Sequence, residues 1–118
     1  MEKTFEAEKI TLSALNERIN KGARVQLLDV RDPKDYPLGV IKDSKKIPLA
    51  DLEARYPELD KAAEIVTYCS GPDCDAARKA AELLSKKGFR VIVYTGGFKE
   101  WKMADLPMET GTPPPAKP

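Results

Sequence analysis

Ile65-Val66-Thr67-Tyr68-Cys69-Ser70-Gly71-Pro72-Asp73-Cys74-Asp75 is the stretch on which the reading of this chain turns. Ile65 to Tyr68 is a short run of apolar and β-prone residues, and it reads as a buried strand. Ala76 to Lys87 follows with Ala76, Ala80, Leu83 and Leu84 at helical spacing. The order is strand, tight loop, helix. A cysteine at that strand end faces a helix N-terminus and its orphan N–H groups. Those groups and the helix dipole favour the thiolate, which is the nucleophilic form. Gly71 and Pro72 suit a loop that curls around one atom. Cys69 is therefore the candidate nucleophile, and Ser70, Gly71, Pro72, Asp73, Cys74 and Asp75 form the loop around it.

Other strands and helices alternate on both sides of this unit. Residues 1–10 read as a leader with an edge strand. Thr11 is placed to cap a helix over Leu12 to Asn20, with Leu12, Leu15 and Ile19 on one face and Gly22 after its end. Val25 to Val30 reads as a strand buried on both faces. Pro33 suits the start of a short helix. Residues 41–47 look irregular, with a strand only at Ile47. Pro48 to Tyr56 has helical spacing and stops before Pro57. Val91 to Tyr94 reads as a strand, Gly96-Gly97 as a second tight loop, and Phe98 to Met103 as a short helix. Residues 109–118 hold four prolines and no packing pattern, which predicts a loose tail. The alternation predicts a parallel sheet covered by helices on both faces. Sites in such sheets form beyond the carboxyl ends of the strands. Asp29, Cys69 and Thr95-Gly96-Gly97 all fall at such ends.

Composition narrows the functions. The chain has 118 residues, 42% hydrophobic and 33% charged, with a net charge of +1. That fits one domain and gives no electrostatic reason to expect nucleic acid or a membrane surface as partner. No apolar run approaches a bilayer span, and Met1 to Glu6 lacks the apolar core of a signal peptide, so the expected location is cytoplasmic. There is no histidine, which excludes a Cys-His nucleophile pair and a His-ligated metal. Two cysteines are too few for a disulfide scaffold or a structural zinc site. No metal and no cofactor is expected.

Several pieces then match one family together. Leu28-Asp29-Val30-Arg31, followed by Asp35-Tyr36 and Gly39, resembles the first signature of rhodanese-like domains. Val66-Thr67-Tyr68-Cys69 resembles their active-site strand. Gly96-Gly97-Phe98-Lys99-Glu100-Trp101, with Leu106-Pro107 after it, resembles their C-terminal signature. The resemblance spans residues 8–108. It implies an α/β, three-layer fold with a central, mainly parallel sheet flanked by helices. It also implies a sulfurtransferase that moves sulfane sulfur through a cysteine persulfide, here on Cys69. The implied partners are a small sulfur donor (thiosulfate, polysulfide or a protein persulfide), a thiol or cyanide-like acceptor, and a sulfur-carrier protein.

Two departures stand out. Val40 follows the glycine of the first signature, where the family often has histidine. Cys74 occupies the fifth position after the nucleophile, where sulfurtransferases of the family commonly carry arginine. Phosphatases of the same fold place that arginine one residue later, and here that residue is Asp75. The loop has no arginine to grip phosphate, which argues against a phosphatase. Asp73 and Asp75 are expected to repel anionic donors.

Other roles follow from type and position. Asp29 reads either as a catalytic carboxylate by placement or as a cap for loop N–H groups. Arg31 reads either as the partner of Asp35 or another carboxylate, holding the first loop, or as a substrate contact. Gly71 and Gly96 are expected to hold backbone shapes that suit glycine, with Gly97 supporting. Phe98 and Trp101 read as core. Lys42, Lys45 and Lys46 read as a solvated face or a guide for an anionic donor. Cys74 is either a half-buried residue of the first helical turn or a second redox-active thiol. Two other functions use the same residues: a non-catalytic interaction or sensing module, and a dithiol redox protein using Cys69 and Cys74.

Overall fold

The structure is a computed structural model that describes residues 5–72 and 74–110. Five strands form one sheet. They are β1 (Lys9–Ile10), β2 (Val25–Asp29), β4 (Lys45–Lys46), β5 (Glu64–Tyr68) and β6 (Val91–Tyr94). Their order is β1-β6-β5-β2-β4, and every pairing is parallel. A second sheet pairs β3 (Val40–Ile41) antiparallel with β7 (Met108–Glu109). The helices are α1 (Leu12–Asn20), α2 (Leu49–Arg55), α3 (Ala76–Lys86) and α4 (Gly97–Met103), with short 3-10 turns at Pro33–Leu38 and Tyr56–Glu58.

The central strand explains the layering. Ile65, Val66, Thr67 and Tyr68 all have no exposed surface. Side chains alternate across a strand, so successive residues enter opposite layers. Ile65 packs with Leu28, Val93, Leu52 and Leu84, on the face covered by α2 and α3. Val66 and Tyr68 pack with Leu15, Leu27, Ile92 and Trp101, on the face covered by α1 and α4. Cys69 continues the first set and joins the α3 layer. The Thr67 hydroxyl donates to the Ala77 carbonyl at 2.9 Å and ties the strand to the first turn of α3.

The expected elements are found with small shifts. Thr11 caps α1 through its hydroxyl, which accepts from Ala14 N at 3.2 Å. Leu15 is fully buried, and Ile19, at the far end of the same helix face, is half-exposed. Residues 1–10 are more than a leader where they are described. Phe5 and Ala7 pack on the core, and Lys9–Ile10 is an edge strand of the sheet. The irregular stretch 41–47 instead carries β3 and β4, and Ile47 lies just after β4. In the expected tail, Glu109 belongs to β7, and residues 111–118 lie outside the described residues. No helix among the described residues is long and apolar enough to cross a membrane.

Candidate functional site

Cys69 leaves β5 and is nearly fully buried. Its carbonyl accepts from Phe98 N at 2.8 Å, and the Ser70 carbonyl accepts from Lys99 N at 2.9 Å. The first turn of α4 thus uses two loop carbonyls as its cap. No peptide bond here is cis. In a trans peptide the N–H opposes the carbonyl, so the N–H groups of Ser70 and Gly71 point to the other side of the loop from α4. The loop then turns back, with Cys74 N donating to the Gly71 carbonyl at 3.1 Å. At the start of α3, Asp75 is the N-cap residue and its carboxylate makes no capping hydrogen bond to the first turn.

This turn brings the two cysteines together. Their Sγ atoms are in bonding contact, and the Cα atoms are 6.3 Å apart. Cys69 is buried, and Cys74 is partly exposed. Both line a cavity of about 160 Å³ between the loop, α3 and the ends of β1 and β6. Lys9, Asp75, Arg78 and Tyr94 also line it.

The charge of this cavity corrects one expectation. Asp75 does not stand as a free repelling carboxylate. Arg78 approaches it at 3.4 Å and holds its carboxyl below the ordinary range, first through the side-chain hydrogen bond. Lys9 is a second cation on the wall. Among the described residues lining the cavity, two cations stand against one carboxylate. Asp73 lies outside the described residues. The spacing of Asp75 and Arg78, three apart at a helix start, was a readable signal for that pair. Lys9 gave no such signal, because an edge strand sets its place.

The glycine expectations also change. Gly71 is not in the left-handed region, and a Cβ there meets nothing within 4 Å. Gly96 has a φ of −65°, and a Cβ there meets chiefly the flexible end of Glu100. Gly97 carries the requirement. Its φ is +70°, and a Cβ would lie 2.6 Å from Gly71 N and 2.7 Å from Cys69 O. The backbone of α4 can lie against the nucleophile loop only where no side chain intervenes.

Asp29 and Arg31 form a support beneath the loops. Arg31 Nε donates to both Asp29 oxygens at 3.0 Å, and Nη2 donates to Oδ2 at 2.7 Å. Both side chains are almost fully buried. Asp29 also accepts from Arg31 N at 3.0 Å, the expected loop cap. Asp35 is not the partner of Arg31. The guanidinium also donates to the Gly39 carbonyl and lies 4.4 Å from the centre of the Phe98 ring. The first signature is thereby clamped to α4. Neither Asp29 nor Arg31 lines the cavity. Phe98 and Trp101 are core, as read. Lys42, Lys45 and Lys46 stay outside the cavity, and Lys45 pairs with Glu58 at 3.3 Å.

The fold, the loop after the central strand and the glycine contact define a class, and comparison with known proteins agrees. A model of the rhodanese-like domain matches residues 11–104, and the chain belongs to that family. A sulfurtransferase of Allochromatium vinosum is 29% identical over 102 residues, covering 85% of this chain and 92% of that one. An HTH-type transcriptional regulator of Mycobacterium tuberculosis is 36% identical over 106 residues, covering 90% of this chain. The chain spans only 46% of that regulator's length. Among solved structures, a Bacillus halodurans protein superposes with a TM-score of 0.81 at 32% identity, covering 89% of this chain and 78% of that one.

Proposed function

We propose that this chain is a sulfurtransferase that carries sulfane sulfur as a persulfide on Cys69. The observation that carries the reading is the place of Cys69. It directly follows the central buried strand, opens onto a small cavity and precedes the α3 N-terminus, whose N-cap residue makes no side-chain cap. Backbone N–H groups and the helix dipole favour an anionic sulfur there, as thiolate or as persulfide, without a general base. The absence of histidine is compatible with that chemistry.

In the proposed cycle the Cys69 thiolate attacks the outer sulfur of the donor. The donor's S–S bond breaks, and sulfite or a thiolate leaves. An acceptor thiolate, or cyanide, then attacks the outer sulfur of the persulfide and restores the Cys69 thiolate. Lys9 and Arg78 would attract an anionic donor such as thiosulfate, and a sulfur-carrier protein is a further partner for the same thiol. The test is turnover with thiosulfate or inorganic polysulfide and cyanide, wild type against Cys69→Ser. Loss of turnover in a folded variant is expected. Retained turnover would overturn the assignment.

A second reading has one specific support. The mycobacterial relative is named as a transcriptional regulator. On that reading the loop senses sulfur or oxidants and has no turnover role. Stoichiometric modification of Cys69 with no catalytic turnover would select it.

A further inference from the structure

The proposed persulfide chemistry leaves Cys74 unused, yet the loop turns it onto Cys69. We propose that Cys74 resolves the Cys69 persulfide, releasing sulfide and leaving a Cys69–Cys74 disulfide. This proposal rests on the reading of Cys69 as the persulfide carrier. Three observations support it. The two Sγ atoms are in bonding contact, and the Cα separation of 6.3 Å lies within the range that a disulfide bridges without backbone movement. The Cys74 N to Gly71 O hydrogen bond holds the turn that makes this approach. Both residues line the same cavity.

The step balances. The Cys74 thiolate attacks Sγ of Cys69, and a bond forms between the two cysteine sulfurs. The bond from Cys69 Sγ to the outer sulfur breaks, and the outer sulfur leaves as hydrosulfide, taking up the proton that Cys74 lost. The sulfane sulfur is reduced to sulfide, and the two cysteine sulfurs are oxidised to the disulfide. A dithiol, or two monothiols, then reduces that disulfide.

Exposure sets the order of the second half. Cys74 is the more exposed of the two residues, so an external thiol attacks its sulfur first. Cys69 is the leaving thiolate, and its place before the α3 N-terminus favours that departure. The nucleophile is therefore returned ready to take the next sulfur. A thiol acceptor in ordinary transfer receives the outer sulfur and leaves as a persulfide. Here the thiol supplies electrons only, and sulfide is the product. The chain would thus act as a thiol-dependent reductase of sulfane sulfur, and the disulfide would also guard Cys69 against overoxidation.

The test uses the reduced full chain and Cys74→Ser, with Cys74→Ala as a second variant. Each is loaded with thiosulfate, or in parallel with inorganic polysulfide, and freed of donor by gel filtration. Intact mass and trapped sulfide are followed without added thiol. Wild type should release one sulfide per chain and end lighter than its reduced form by two hydrogens. The variants should keep the added sulfur roughly tenfold longer or more, because an intramolecular thiol acts at a high effective concentration. Equal persulfide lifetimes, with no disulfide in wild type, would overturn the resolving role and leave the transfer function standing. A failure of both wild type and variants to gain sulfur from either donor would overturn the persulfide reading itself. Melting temperatures confirm that the variants fold.

Discussion

Replacing Gly97 by alanine should do more damage than any other glycine substitution near the site. Two costs combine. Alanine at a φ of +70° pays the left-handed penalty, about 1–2 kcal/mol. Its methyl group would also press on the loop backbone at 2.6 Å from Gly71 N and 2.7 Å from Cys69 O and Ser70 C. Backbone cannot swing aside as a flexible side chain does, and overpacking of this kind costs about 1–3 kcal/mol. Together the loss is about 2–5 kcal/mol. At about 4 °C per kcal/mol for a domain of this size, the midpoint should fall by about 8–20 °C. Sulfur transfer should fall as well, because relief of the clash moves the loop that carries Cys69. The assay is a thermal melt by circular dichroism together with turnover. Gly71→Ala is the control, since its Cβ meets nothing within 4 Å and its φ is ordinary. It should melt within about 2 °C of wild type. A Gly97→Ala variant that melts within that same margin and keeps full activity would refute the claim that α4 backbone must touch the loop.

Three further outcomes follow from the same structure. Arg31→Met should cost about 3–5 kcal/mol in denaturant unfolding, because it leaves the buried Asp29 carboxylate without its guanidinium. Adding Asp29→Asn to it should recover part of that loss, and a double variant weaker than the single would count against the pairing. Lys9→Ala and Arg78→Ala should each raise KM for thiosulfate, and the salt dependence of kcat/KM should weaken; unchanged values would place neither cation in donor recognition. Tyr36, Tyr68 and Tyr94 are all pushed upward, mainly by burial, from the ordinary value of 10.0. Folded values above unfolded ones mean that their contribution is complete below pH 10 and is lost as pH rises beyond it. Stability should therefore decline steeply above about pH 10, and Tyr68→Phe, which removes one of these groups, should flatten that decline.

Much of the fold was legible because periodicity and burial agree in this chain. Val91 to Tyr94 and Ile65 to Tyr68 are short apolar runs in the central strands, and the two match the structure closely. The capping of α1 by Thr11 was readable from residue type alone. β3 and β7 were not, since two-residue strands carry no period. The adjacent Gly96 and Gly97 show a different limit. Composition says that a glycine is needed, but only the packing of α4 on the nucleophile loop decides which of the two takes the left-handed φ. Arg31 was readable as half of an ion pair. Its partner depends on the bend after β2, which turns it back to Asp29 two residues earlier and away from Asp35. The approach of Cys74 to Cys69 depends likewise on the curl of one loop. Among the described residues, Asp75 alone does not set the charge of the cavity wall, because Arg78 pairs with it one turn on and Lys9 arrives from the edge strand of the sheet.

The most direct test of the central claim is the mass of one protein. Reduced Cys74→Ser chain, which cannot form the loop disulfide, is incubated with thiosulfate or inorganic polysulfide, freed of donor and weighed intact, and the modified residue is located by peptide mapping after alkylation. The account predicts a gain of one sulfur atom on Cys69, lost again when cyanide is added with the release of thiocyanate. An unchanged mass with both donors, in a protein that melts like wild type, would contradict it.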